Sequence, residues 1–133
     1  MKRTGVSLLF FDVATFVVAE AQNLTGEYAD RNFLGGQAVF QMSLEQSGNA
    51  VSVWFSAGYN DGHGIQPVAD GSGRISGKGT VEFTFNDSSH NVGTGTITRA
   101  GDDIIVSLKT TRVADPRCLE LYRQNMRLKR VKK

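Results

Sequence analysis

Four stretches of this chain place an apolar residue at every second position: Phe40-x-Met42-x-Leu44, Val51-x-Val53-x-Phe55, Val81-x-Phe83-x-Phe85 and Ile104-x-Val106-x-Leu108. The positions between them are largely polar, among them Gln41, Ser43, Ser52, Ser56, Glu82, Thr84, Ser107 and Lys109. Successive side chains of a strand point to opposite faces, so a period of two describes strands with one buried and one wetter face. No long segment carries the 3.6-residue period of an amphipathic helix. The chain therefore reads as all-β.

Turn residues punctuate the runs. Gly35-Gly36, Ser47-Gly48-Asn49, Gly77-Lys78-Gly79, Asn86-Asp87-Ser88-Ser89 and Gly101-Asp102-Asp103 supply positive φ and local side-chain-to-backbone bonds. Two connections are less regular: the loop from Gly58 to Gly64, and Thr111 to Arg117 with its Asp115-Pro116 step. The spacing predicts strands at about 24–29, 37–46, 50–58, 65–76, 80–86, 92–100, 103–110 and 118–124. Eight short antiparallel strands joined mainly by tight turns form a meander, which can close into a small barrel and so remove its edges. A β-sandwich is the alternative, because alternation does not report closure.

The 133 residues suit one domain and are divided as follows. Residues 1–21 read as a signal peptide: Lys2 and Arg3 precede a mostly apolar stretch from Val6 to Val18, and Ala19-Glu20-Ala21 offers a small-x-small cleavage site. Asp12 weakens that signal, and the apolar stretch is too short to be a stable transmembrane helix. Residues 22–126 form the barrel domain and 127–133 a basic tail. The expected location is secreted or periplasmic. Cys118 is the single cysteine, so no disulfide forms within the chain and no multi-cysteine zinc site exists. The apolar segment around it predicts burial of the thiol.

With this pattern the chain resembles the calycin-like up-and-down barrels of the lipocalin and avidin type. The residues that carry the likeness are Leu24-Thr25-Gly26-Glu27-Tyr28 at the first strand, the eight-run meander, and Gly93-Thr94-Gly95-Thr96 opening the sixth. It also resembles small exported bacterial barrels of unassigned role. The resemblance implies a barrel; by itself it gives no function, and it carries over no ligand residues.

Two kinds of site follow. The enclosed face, with Phe40, Met42, Phe55, Phe83, Phe85 and Val106, either fills a narrow interior or lines a pocket for one small apolar or amphipathic ligand. Three Phe-bearing strands favour filling. Trp54 falls on the opposite face from Val53 and Phe55, and with Tyr59 and His63 it offers a surface for a protein partner. That surface would suit an inhibitor of an extracellular or periplasmic hydrolase, presenting loop 59–64 to a cleft.

Catalysis is not expected. His63, His90, Asp61, Asp87, Asp102 and Asp103 all sit in turn sequences, and no His-x-His, His-Glu-x-x-His or Gly-x-Ser-x-Gly spacing occurs. No cofactor or metal is expected either. The Gly-rich passage 71–80 lacks phosphate-loop order and reads as curvature and turn positions. Charge is uneven: residues 117–133 hold seven Lys or Arg against one Glu, whereas residues 22–116 hold six basic against ten acidic side chains. The basic end lacks the interleaved aromatics of a nucleic-acid surface, so no clear nucleic-acid site is expected.

Overall fold

The alternating runs become eight antiparallel strands that close on themselves in chain order, each paired with its sequence neighbours and the last paired with the first. The computed structural model describes residues 23–132, so the signal peptide expected at 1–21 lies outside the described residues. The strands are β1 (Gly26–Asn32), β2 (Ala38–Ser47), β3 (Ala50–Tyr59), β4 (Val68–Ile75), β5 (Val81–Asp87), β6 (Val92–Ala100), β7 (Asp103–Arg112) and β8 (Met126–Lys132). The sandwich alternative is thereby excluded.

The final strand corrects the sequence reading. Residues 118–124, expected as the last strand, fall mostly in a 3-10 helix, Pro116–Leu121. Closure is made instead by β8, which takes in residues assigned to a basic tail and pairs with both β1 and β7. The physical reason is visible in Met126-Arg127-Leu128-Lys129: it alternates like any other strand, with Met126 and Leu128 inside and Arg127 and Lys129 outside.

The interior is packed with side chains. Phe40, Phe55, Ile97, Ile104, Val106 and Leu128 are fully buried. The rings of Phe40, Phe55 and Phe85 follow one another across it, with centroids 5.4 Å and 5.0 Å apart. Eight strands leave an interior just wide enough for side chains, and here they occupy it. At one end Leu24 is buried and its carbonyl accepts the Tyr28 hydroxyl at 2.7 Å. At the other end the 3-10 helix inserts Cys118 and Leu121 into the core. The Cys118 thiol is free and buried, and burial pushes its pKa up, which leaves it a poor nucleophile.

The wall from β4 to β6 has its own packing rule. Phe83 of β5 stands between Gly73 of β4 and Gly95 of β6, and Phe85 stands between Gly71 and Gly93. A Cβ on Gly73 would lie 2.0 Å from the Glu82 carbonyl oxygen, and one on Gly95 would lie 2.3 Å from Cζ of the Phe83 ring. The phenyl rings of β5 thus cover the β6 glycines and fill the space that side chains there would take. On β4 the backbone itself approaches too closely for any side chain. The glycine pairs are how two large aromatics fit a narrow barrel without swelling it.

Candidate functional site

The six interior residues singled out in the sequence, Phe40, Met42, Phe55, Phe83, Phe85 and Val106, are all in the packed core, each no more than 3% exposed. Their rings contact one another and Tyr122.

Trp54 lies on the outer face of β3, as its phase against Val53 and Phe55 predicts, and is 39% exposed. Strand register places Ser43 and Asp70 on either side of it, and Val68, also exposed, diagonally next to it on β4. Trp54, Ser43 and Asp70, with Glu45 and Ser52, border a groove of about 390 Å³. Val68 was not read as a site residue from the sequence. Its significance comes only from the register that sets it beside Trp54 and at the mouth of the 60–67 loop.

Tyr59 and His63 meet in that loop. Their rings stack at 4.1 Å, and the Tyr59 hydroxyl donates to Glu120 Oε1 at 3.3 Å. Asp61 accepts the backbone N–H of His63 at 3.0 Å and also pairs with the His63 ring nitrogen Nδ1. These bonds from His63 hold the Asp61 carboxyl below its ordinary pKa. Asp61 and His63 are well exposed, so the pair is a structured turn at the surface. Trp54 is five residues along β3 from Tyr59, roughly 17 Å of extended strand away. The structure therefore joins Tyr59 to His63 but leaves Trp54 apart: Tyr59 shares the inward phase of Val53, Phe55 and Ala57 and packs against the core, whereas Trp54 faces outward.

One residue of these turn sequences is drawn out of solvent. Asp87 is buried at the end of β5, where its carboxylate accepts four bonds: Ser89 N–H at 2.8 Å, Asn91 N–H at 2.9 Å, Asn91 Nδ2 at 2.8 Å and the Tyr122 hydroxyl at 2.6 Å. Asn91, fully buried, in turn accepts the N–H groups of Ala114 and Asp115 at 2.7 Å and 2.9 Å. This latch bolts the β5–β6 turn to the segment leading into the 3-10 helix. Nothing local in the sequence signals it, because Tyr122 is 35 residues from Asp87. His90, in the same turn, has positive φ, and its N–H bonds the Asp87 carbonyl at 3.1 Å.

Burial alone would raise the Asp87 pKa, but the bonds from Tyr122, Asn91 and Ser89 outweigh it and hold the carboxyl below its ordinary value of 3.8. A depressed carboxylate contributes stability that is complete above its unfolded value and is lost as pH falls through the lower folded value. We therefore expect unfolding free energy, measured by urea titration at a series of pH values, to fall steeply below about pH 4. In Tyr122→Phe, which removes one of the stabilising donors, that fall should be shallower. Equal slopes in the two proteins would show that the latch does not set the acid response.

Among the described residues no group of three or more His, Cys, Asp or Glu is placed to hold a metal ion. No described helix is long and apolar enough to cross a membrane. No protein-family model matches the chain, and no curated protein or solved structure is significantly similar to it. The closed eight-stranded antiparallel barrel is consistent with a calycin-like architecture.

Proposed function

We propose that this chain is an exported, non-catalytic binding module of calycin-like type that engages a protein on its outer surface, in the manner of a hydrolase inhibitor. The observation that carries this reading is the exposure of Trp54 on a barrel whose interior is filled. Side chains pack the interior around Phe40, Phe55 and Phe85, which favours an outer site over a ligand held inside the barrel. An exposed tryptophan, by contrast, supplies the kind of rigid apolar anchor that dominates protein interfaces.

The neighbourhood fits that role. Trp54 and Val68 give an apolar centre, and Glu45 and Asp70 give it an acidic rim. An acidic rim repels a second copy of itself across a two-fold axis and favours a basic partner surface. The Tyr59–His63 loop, braced by its stacked rings and the Asp61 turn, is stiff enough to enter a cleft at little entropic cost. Export is supported by the Lys2-Arg3 start, the apolar stretch and the Ala19-Glu20-Ala21 site.

The test is inhibition of a panel comprising a basic lysozyme and several serine proteases. We expect inhibition of at least one, weakened about tenfold or more by Trp54→Ala, as for loss of an interfacial tryptophan. Tyr59→Ala with His63→Ala should weaken it also, while Lys109→Ala, on the outer face of β7, should not. Inhibition that survives both the Trp54 and the loop variants unchanged would overturn the reading.

A further inference from the structure

The uneven charge of the sequence becomes a second outer surface, opposite in sign to the Trp54 face. On β8 the side chains of Arg127, Lys129 and Val131 are exposed, and register sets Lys129 beside Ala29 of β1. With Asp30, Arg31 and Asn32 they border a groove of about 330 Å³. Arg31 and Lys129 make no ion pair with a described residue, whereas Arg127 is held by Asp103 at 3.2 Å.

This groove matches the Trp54 face in three respects. Glu45 and Asp70 line the groove beside Trp54 with no cation among them, and neither carboxylate makes an ion pair with a described residue. Two free carboxylates thus stand on one side of the barrel and two free cations on another. Both faces also carry exposed large apolar side chains, Trp54 and Val68 on the acidic one and Val131 on the basic one. The third match is aromatic. An indole is the ring that best attracts Arg and Lys, and three such cations rim a groove whose volume, at the lower end of small-molecule sites, admits one large side chain.

The same charges set the geometry of the contact. Like faces meeting across a two-fold axis would oppose Glu45 and Asp70 to their own copies, or Arg31 and Lys129 to theirs. A uniformly anionic surface such as a membrane would meet Asp30 in the groove, Asp103 at its edge and the exposed Glu27 further along β1. Strand β2 separates β1 from β3 in the closed barrel, so the two outer faces cannot meet within one molecule. We infer that the β8–β1 groove receives Trp54 of a second copy of this chain, head to tail, with Glu45 and Asp70 of that copy paired to Arg31 and Lys129. Unlike faces make the contact heterologous, and its small extent makes it weak and reversible. Association is measured on the protein alone, so this contact stands or falls independently of the hydrolase reading.

Sedimentation equilibrium of the full chain tests this. At about 1 mM protein and about 20 mM salt the weight-average mass should exceed that of one chain, and at about 0.5 M salt it should return to that of one chain. Two charge-reversed variants are compared, Glu45→Lys with Asp70→Lys and Arg31→Glu with Lys129→Glu. All four side chains lie on outer faces, and melting temperatures report that each variant keeps the fold. Each variant alone should be monomeric. Mixed in equal amounts they should associate again, because the untouched Trp54 face of the second meets the untouched groove of the first. Trp54→Ala should weaken the association of the parent about tenfold. Head-to-tail association is overturned if the parent stays monomeric at low salt, whether or not phosphatidylglycerol vesicles bind it. It is equally overturned if either folded variant associates alone as the parent does, if their mixture stays monomeric, or if Trp54→Ala associates unchanged.

Discussion

Replacing Gly73 by alanine is expected to destabilise the barrel by about 3 kcal/mol or more, or to prevent it from folding, while Gly77→Ala should change little. The contrast rests on what each new methyl group meets. At Gly73 it would sit 2.0 Å from the Glu82 carbonyl oxygen and 2.6 Å from the Phe83 Cα, both backbone atoms of β5, so the two strands must separate to admit it. At Gly77, in the turn that follows, nothing lies within 4 Å. Separating β4 from β5 would also shift Phe83 and Phe85 off the β6 glycines they cover, so the disturbance reaches three strands. Urea unfolding midpoints of the two variants check this. If Gly73→Ala were as stable as Gly77→Ala, the close approach of β4 and β5 would be wrong.

The second large effect is expected at Asn91. Asn91→Leu keeps the branched shape but removes the acceptor shared by the N–H groups of Ala114 and Asp115 and a donor to Asp87. Each buried group left without a partner costs about 1–3 kcal/mol, so a total loss of about 3–5 kcal/mol is expected. Tyr122→Phe, which removes only one of the four bonds to Asp87, should cost less, about 1.5–3 kcal/mol for a bond to a charged group. The ordering separates two pictures of this end of the barrel. If Asn91 is the hub, its loss exceeds that of Tyr122; if Asp87–Tyr122 dominates, the order reverses. Guanidinium unfolding of the two variants decides between them.

Most of the fold was legible because a barrel repeats one signal. The alternation Val81-x-Phe83-x-Phe85 states both that β5 exists and which way it faces, and the observed strand begins and ends within one residue of the expected range. The same signal was present in β8 but was masked by charge. Arg127, Lys129 and the lysines that follow read as a solvated tail, although an outer face made of basic residues is still an outer face. Conversely, Cys118, Leu119, Leu121 and Tyr122 look like strand material, yet Pro116 starts a 3-10 helix there that caps the barrel end. The surface reading depended on phase alone for Trp54, and that sufficed. Val68 beside Trp54 and the Asp87–Asn91–Tyr122 latch depend on which segments lie side by side, which alternation within a strand does not encode.

Closure by β8 has a consequence for the order of events in folding. The pairing of Tyr28 with Arg130 joins residues about a hundred positions apart, whereas every other strand pair forms across a turn or a short connection. Hairpins such as β2–β3 and β5–β6 can form early, because their loop-closure entropy is small. The seam between β1 and β8 joins the two ends of the described chain, and the loop-closure cost of that long separation is expected to make it the last pairing to form. Until then the chain is an open sheet with two raw edges, at β1 and at β7.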